Sequence, residues 1–188
     1  MPKRVFLIGY MGSGKTTVGK KLAKSLDLSF IDLDAFIESK HRKTIAEIFT
    51  EKGEDEFRKI ERKALNDVAQ IEEVIISTGG GAPCFFDNMD LMNKTGTTVY
   101  IKAEPEELAA RLLASKTVRP IIAGKSKSEL IPFITKHLAA RERYYMEAKI
   151  IYHTDKMITK EDVYLTVNGI AEMLKSDKPD CFKKELKQ

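Results

Sequence analysis

The sequence contains only two cysteines and no long apolar run, and each shortage excludes a class of protein. No segment reaches the ~18 uninterrupted apolar residues that a membrane helix requires, so we expect neither a membrane protein nor a membrane partner. The first apolar run is too short for an export signal and passes directly into glycines, so we expect no export. Cys84 and Cys181 are far apart and have no His or Cys partner at ligand spacing. This excludes a disulfide framework and favours a reducing, cytoplasmic environment.

The chain also lacks a concentration of charge of one sign. Its net charge is +4, but basic residues are interleaved with acidic ones along all 188 residues. We therefore expect small anionic ligands rather than nucleic acid. With 43% apolar and 32% charged residues, the composition is that of one globular domain, which we place at residues 1–175. Residues 176–188 read as a polar tail, and we expect a monomer.

Short apolar runs alternate with segments of helical period along the chain. This alternation predicts an α/β fold with a five-stranded parallel sheet flanked by helices, in three layers. The predicted strands are Val5–Ile8, Phe30–Ile31, Val74–Ile76, Thr98–Ile101 and Ile150–Tyr152. The predicted helices are 15–26, 33–40, 44–70 with a break near Gly53, 88–94, 105–114, 128–147 with Pro132 near its start, and 160–174. Capping boxes at Thr44 with Glu47 and at Thr159 with Asp162, and a Pro105 at the first helical position, support three of these starts.

The segment Gly9-Tyr-Met-Gly-Ser-Gly-Lys15-Thr16 fits Gly-x4-Gly-Lys-Ser/Thr and follows the first predicted strand. A strand that breaks into glycines and then starts a helix leaves several backbone N–H groups pointing into one concavity, which suits a polyphosphate. Lys15 supplies a charge for the β- and γ-phosphates, and the Thr16 hydroxyl can reach a magnesium ion. We therefore predict a nucleoside triphosphate site. Its residues are Gly12, Ser13, Gly14, Lys15, Thr16 and Thr17.

Two carboxylates, Asp32 and Asp34, follow the second predicted strand. The carboxyl ends of parallel strands open toward the ligand site, so one carboxylate can face magnesium and the other an acceptor hydroxyl. The alternative is that Asp34 simply caps the helix that follows. The neighbouring phosphate loop favours the functional interpretation.

The third predicted strand ends in Gly79-Gly80-Gly81, and three glycines in a row let a ligand approach the backbone. Arg58 and Arg141 lie on predicted helices, where most arginines are solvated surface charges. Their planar guanidinium groups nevertheless match a carboxylate, which an acidic, sugar-like ligand would carry.

Residues 115–127 form a polar, basic connection that contains Arg119-Pro120. In a nucleotide-binding fold such a loop is either a lid that closes over the nucleotide or an exposed linker. The loop alone does not decide between them.

Together these motifs resemble the shikimate kinase family in order and approximate spacing. They are the glycine loop, Asp32-x-Asp34, Phe57-Arg58-x-x-Glu61, Gly79–Gly81, Arg119-Pro120 and Arg141-x-x-x-Tyr145. The resemblance covers residues 4 to about 175 and is far more specific than the phosphate loop alone. One departure is Ile121-Ile122 after Arg119-Pro120, where the family usually has two leucines.

The resemblance implies transfer of the ATP γ-phosphoryl group to the 3-hydroxyl of shikimate, with Mg²⁺ as the cofactor. It implies that Thr16 and Asp32 organise magnesium and that Asp34 accepts or orients the hydroxyl proton. It further implies the acceptor residues Arg58 and Arg141 at the carboxylate, Gly79, Gly80 and Gly81 along the ligand, and Phe49 and Phe57 against its ring. Arg119 on the lid would reach the transferring phosphate beside Lys15, and Arg111 would stack on adenine.

Two rival functions remain open from the residues alone. A related P-loop kinase could phosphorylate gluconate or a nucleoside monophosphate, although paired arginines beside a glycine wall favour a carboxylate. A nucleotide-dependent switch protein would need a guanine-reading Asn-Lys-x-Asp. The nearest match, Asn93-Lys-Thr-Gly96, lacks the aspartate.

Overall fold

A computed structural model describes residues 2–115, 126–154, 157 and 159–176. Within these residues one parallel sheet forms, with the strand order β2-β3-β1-β4-β5, which confirms the predicted fold class. The strands are β1 Arg4–Ile8, β2 Ser29–Asp32, β3 Val74–Ser77, β4 Thr97–Lys102 and β5 Ile150–His153. In the registers, Leu7 of β1 and Asp32 of β2 both lie opposite Ser77 of β3, so three strands end at one level.

The helices connect these strands and lie close to their predicted bounds. They are α1 Lys15–Leu26, α2 Leu33–His41, α3 Ile45–Val68, α4 Asn88–Thr95, α5 Pro105–Ala114, α6 Lys127–Tyr145 and α7 Lys160–Lys175. A short 3₁₀ turn, Ala82–Cys84, follows β3. Both predicted capping boxes are present, at Thr44 and at Thr159.

Strand β1 lies at the centre of the sheet and is fully covered. Its side chains alternate between two apolar clusters, Phe6 and Ile8 in one and Val5 and Leu7 in the other. Successive side chains of a strand point to opposite faces, so the two clusters are the two helical layers. This burial fixes the end of β1, and therefore the start of the phosphate loop.

Two irregularities in the helices bear on the sequence predictions. Gly53 interrupts α3 with φ 76° and ψ 174°, so the predicted break is confirmed. Pro132 lies inside α6, in its second turn. In the first turn a proline would cost nothing, because the N–H groups there have no partner within the helix. The ring of Pro132 is exposed.

Within the described part of the chain, no helix combines the length and the apolar character needed to cross a bilayer. Most of the predicted tail, residues 177–188, lies outside the described residues.

Candidate active site

The phosphate loop joins the buried end of β1 to the start of α1. Gly12 and Gly14 have φ values of 82° and 91°, a backbone region that side chains rarely adopt, and Gly14 is the N-cap of α1. The turn is closed by a hydrogen bond from the Ser13 N–H to the Tyr10 carbonyl, 3.1 Å between N and O. The N-terminus of a long helix thus faces the concave side of the loop, as a phosphate site requires.

The loop opens into a cleft of about 340 Å³. The cleft brings together most of the residues predicted to bind ATP and magnesium, and part of the predicted acceptor site. Its predicted members are Gly12, Gly14, Lys15, Thr16, Thr17, Asp32, Asp34, Gly79, Gly80 and Arg111. Segments from four separate parts of the sequence therefore share one cavity.

Lys15 is directed back toward the loop. Its side chain is largely buried, and its Nζ donates to the carbonyl oxygens of Gly9 at 2.9 Å and Tyr10 at 3.0 Å. These contacts hold the ammonium at the mouth of the loop. A phosphate bound there would meet a cation that is already positioned.

Thr16 and Asp32 place two oxygens side by side. The Thr16 hydroxyl donates to Asp32 Oδ2 at 2.8 Å. The other oxygen, Asp32 Oδ1, accepts from the backbone N–H groups of Asp34 at 3.2 Å and Ala35 at 3.4 Å. Asp32 is therefore the N-cap of α2, and the alternative that Asp34 is the cap is wrong. Asp34 lies in the first turn of α2 and lines the cleft.

The glycine triplet passes very close to charged side chains. A Cβ atom at Gly79 would lie 2.9 Å from Asp34 Oδ1 and 3.0 Å from Glu61 Oε1. One at Gly81 would lie 2.7 Å from both terminal nitrogens of Arg58. A Cβ atom at either position would have to displace one of these charged groups, and the Arg58 guanidinium is held by two carboxylates. The triplet forms a wall between the phosphate loop and Arg58.

Arg58 is buried and held by two carboxylates and three rings. Its Nη1 donates to Glu61 at 2.8 Å, and its Nη2 and Nε donate to Glu54 at 2.9 and 3.3 Å. The predicted ring residues Phe49 and Phe57 stack on each other with centroids 4.3 Å apart, and the guanidinium lies near both. Phe85 is closer, at 4.1 Å from its ring centroid to the guanidinium carbon.

Glu61 and Phe85 are parts of this site to which sequence analysis gave no role. Glu61 is 1% exposed. Burial raises the pKa of its carboxyl, while the ion pair with Arg58 opposes that shift. The sequence signal that could have identified Glu61 was its position three residues after Arg58 on one helix, where the two side chains can pair. Phe85 carries no comparable signal, since its contact with Arg58 is tertiary.

Arg141 approaches the glycine wall from α6. Its guanidinium carbon lies 5.9 Å from the centre of the Tyr10 ring. Its neighbour Tyr145 donates a hydrogen bond to the Gly80 carbonyl. The charges of Arg58 and Arg141 both act on the thiol of Cys84, whose pKa burial raises to about 11. Arg58 lies beside Gly81 and Arg141 near the Tyr10 ring, and neither is among the residues that line the cleft.

Arg111 lies on the nucleotide side of the cleft. Its Nη2 donates to Glu107 at 3.0 Å and its Nη1 to the Ser13 carbonyl at 3.4 Å. The predicted lid residue Arg119 lies outside the described residues, as do residues 116–125 of the predicted lid.

A phosphate loop after the central strand, two carboxylates at the next strand end and a glycine wall beside the buried Arg58 define a P-loop kinase of a small acceptor. The family model for shikimate kinase matches residues 11–171 of the chain. The chain therefore belongs to the shikimate kinase family, and the resemblance inferred from the six motifs is confirmed. ATP-dependent phosphorylation of shikimate is the function that this family supports, and gluconate as the acceptor is not favoured.

Individual relatives agree along nearly the whole chain. A shikimate kinase of Parabacteroides distasonis is 54% identical over 172 residues, covering 92% of this chain and 99% of the relative. The crystal structure of the shikimate kinase of Bacteroides thetaiotaomicron matches with a TM-score of 0.90 at 46% identity, over 94% of this chain and all of that one. A shikimate kinase of Acinetobacter baumannii, solved in complex with shikimate, matches with a TM-score of 0.76 at 30% identity, over 92% of this chain and 93% of that one.

Proposed function

We propose that this chain transfers the γ-phosphoryl group of ATP to the 3-hydroxyl of shikimate, with Mg²⁺ as the cofactor. The observation that carries the proposal is one cleft lined by the phosphate loop, by Asp34 and by Gly79 and Gly80. The predicted sites for the donor phosphate and the acceptor hydroxyl therefore open into the same cavity. A monomeric state, a cytoplasmic location and a single domain over residues 1–175 stay predictions.

Phosphoryl transfer requires mainly positioning and charge neutralisation. The loop amides and Lys15 would hold the β- and γ-phosphates. Lys15 exchanges two carbonyl oxygens for phosphate oxygens, a small movement for a side chain whose Nζ is already at the loop. Arg111 is assigned to the adenine and Arg119 to the transferring phosphate. Both assignments follow from the family resemblance.

The residues present fit a magnesium ion. The Thr16 hydroxyl and a carboxylate oxygen of Asp32 are adjacent hard-oxygen donors at the mouth of the loop. A site of this kind, with one or two protein oxygens completed by water and phosphate, is typical for Mg²⁺. When bound, the ion would neutralise charge on the phosphate oxygens.

Asp34 is assigned to the acceptor hydroxyl because its carboxylate lies beside Gly79 and it lines the same cleft as the phosphate loop. Its carboxylate can accept the proton or orient the hydroxyl. Gly80 and Gly81 would offer their backbone to the ligand, and Phe49 and Phe57 would pack against its ring.

The acceptor carboxylate is assigned to Arg58 and Arg141. Glu61 keeps one edge of the Arg58 guanidinium occupied, while Glu54, which is 57% exposed, occupies the other. An incoming carboxylate would compete with Glu54 rather than with the buried Glu61.

Arg141→Ala should therefore weaken shikimate binding by roughly 1.5–3 kcal/mol, the range for a charge-assisted hydrogen bond, and change ATP affinity much less. Isothermal titration with each ligand measures both. Arg143→Ala is the matched control, since Arg143 is an exposed arginine of the same helix whose guanidinium lies over Tyr144. An equal loss of ATP affinity in Arg141→Ala would move this arginine to the nucleotide site. Arg58→Ala should weaken shikimate binding similarly, but it also leaves Glu61 buried without its cation and should lower the unfolding midpoint.

The reaction itself is tested by magnesium-dependent ADP release with shikimate, its methyl ester, gluconate and AMP as acceptors. Shikimate should be the only good substrate, because an acceptor without a carboxylate forms no charge-assisted hydrogen bonds with Arg58 and Arg141. The methyl ester keeps the ring and its hydroxyls, so its rejection would isolate the contribution of the acid group. Efficient turnover of gluconate or AMP with none of shikimate would contradict the proposal and leave the kinase fold intact.

A further inference from the structure

Tyr10 is a residue of the phosphate loop whose side chain the proposed mechanism does not use. It lies between Gly9, whose carbonyl accepts from Lys15, and Met11, which lines the cleft. Its own side chain is 1% exposed and is not part of the cleft lining. A large buried aromatic residue in a loop built from glycines needs a packing partner on another element.

That partner is helix α6. The Tyr10 hydroxyl lies 2.9 Å from Nδ1 of His137, and the two rings meet edge to face with centroids 5.7 Å apart. Burial raises the pKa of Tyr10 to about 12, with Arg141 opposing the shift. Burial, together with the charge of Arg141, lowers the pKa of His137. Near neutral pH a protonated phenol therefore faces a neutral imidazole, and the two can share a hydrogen bond in either direction.

His137 and Arg141 are four residues apart on α6, so they lie on the same face of the helix. The Tyr10 ring lies near both: it is almost perpendicular to the imidazole, and the Arg141 guanidinium carbon lies over it at 5.9 Å from its centroid. Phe133, one turn before His137 on α6, also packs against the imidazole, with the ring centroids 5.4 Å apart. Arg141 is only partly buried, so its own packing does not fix its guanidinium completely. The support that Tyr10 gives to this face of α6 therefore helps to determine where the guanidinium points.

We propose that Tyr10 and His137 are a positioning pair that fixes the Arg141 face of α6 against the phosphate loop and thereby sets the affinity for the acceptor carboxylate. Neither residue needs to touch the ligand, since both act through Arg141. The proposal rests on the proposed function, because it assumes that Arg141 binds the carboxylate of shikimate.

Tyr10→Phe removes only the hydroxyl and keeps the ring. It should weaken shikimate binding by about three- to tenfold, the equivalent of one neutral hydrogen bond, with the KM for shikimate raised and kcat and the KM for ATP little changed. His137→Phe should have a similar effect. His137→Asn should restore much of the affinity, because the Asn amide keeps a polar atom near the Nδ1 position. Tyr164→Phe, at an exposed tyrosine of α7, is the matched control.

The decisive measurement is the shikimate affinity of variants made in the Arg141→Ala background. If the pair acts through Arg141, adding Tyr10→Phe to Arg141→Ala should cause no further loss of shikimate affinity in isothermal titration. A loss of the same size with and without Arg141 would assign Tyr10 a general structural role and overturn the proposal, as would unchanged affinity in the single variant. These outcomes are separate from the proposed function, which fails only if the unmodified enzyme does not phosphorylate shikimate.

Discussion

Lys15→Met is expected to lower turnover by at least about 10³-fold while leaving the fold in place. Removing one preorganised donor to developing charge costs on the order of 10²–10³ in kcat, and a full cation at the transferring phosphate should cost no less. Methionine matches the length and apolar stem of lysine, so the loop keeps its packing. Steady-state ADP release with shikimate and saturating ATP measures the effect.

The structure also sets the expected stability change for this variant. Nζ of Lys15 holds two loop carbonyls. Each lost hydrogen bond is worth about 1 kcal/mol, and relief from burying an ammonium offsets part of that loss. A domain of this size shifts by about 2–4 °C per kcal/mol, so the midpoint of the enzyme without ligands should fall by only a few degrees.

Lys20→Met is the matched control, since Lys20 is exposed on the same helix and does not line the cleft. It should retain full activity. Near-normal turnover in Lys15→Met would show that the loop does not bind the transferring phosphate. A collapse of the thermal midpoint would instead assign Lys15 chiefly to folding.

Sequence patterns predicted the elements of the fold to within about three residues because the signals are local. The central strands are short apolar runs, and the capping boxes at Thr44 and Thr159 mark helix starts directly. The predicted β2 covered only half of the strand, which extends to Ser29 and Asp32. This strand lies at the edge of the sheet, so its ends are less buried and carry no apolar signature.

The candidate site also contains parts that local sequence motifs predict and parts that they do not. The phosphate loop, the two aspartates and the glycine triplet are contiguous motifs, and the sequence placed each of them at the end of a strand. Choosing the helix cap was harder, because Asp32 and Asp34 are both good capping residues two positions apart. Only the true end of β2 decides that Asp32 is the cap.

Contacts between distant segments could not be predicted. The Tyr10 hydroxyl meets His137 across 127 positions of sequence, and Phe85 covers Arg58 from a separate loop. Such pairs have neither a fixed spacing nor a period, because the path of the whole chain brings them together. They surround the residues that the motifs name, and they determine how those residues are held.

Asp34→Asn is expected to lower kcat by about 10²-fold or more, with ATP binding largely kept. That is the scale of catalysis by a positioned general base, and asparagine has the same shape without a site for the proton. Asp32 supplies the cap of α2, so removing the charge of Asp34 leaves the start of that helix intact. The measurement is kcat with shikimate together with the affinity for ATP.

The neighbouring carboxylate should behave differently. Asp32→Asn keeps an oxygen that can cap α2, because asparagine is as good an N-cap as aspartate. It removes a charge beside the Thr16 hydroxyl, so the variant should need more magnesium for half-maximal rate. A titration of the rate against magnesium concentration separates the two aspartates.

Asp90→Asn is the matched control for Asp34, because Asp90 is also an acid in the first turn of a helix, α4, and is exposed away from the cleft. Both substitutions remove the same favourable interaction with a helix N-terminus, worth roughly 0.3–1 kcal/mol. Asp90→Asn therefore measures the stability lost at a helix N-terminus alone, and only Asp34→Asn should lose turnover. If Asp34→Asn loses stability alone and keeps its rate, the carboxylate supports helix α2 and the acceptor hydroxyl is activated by another group.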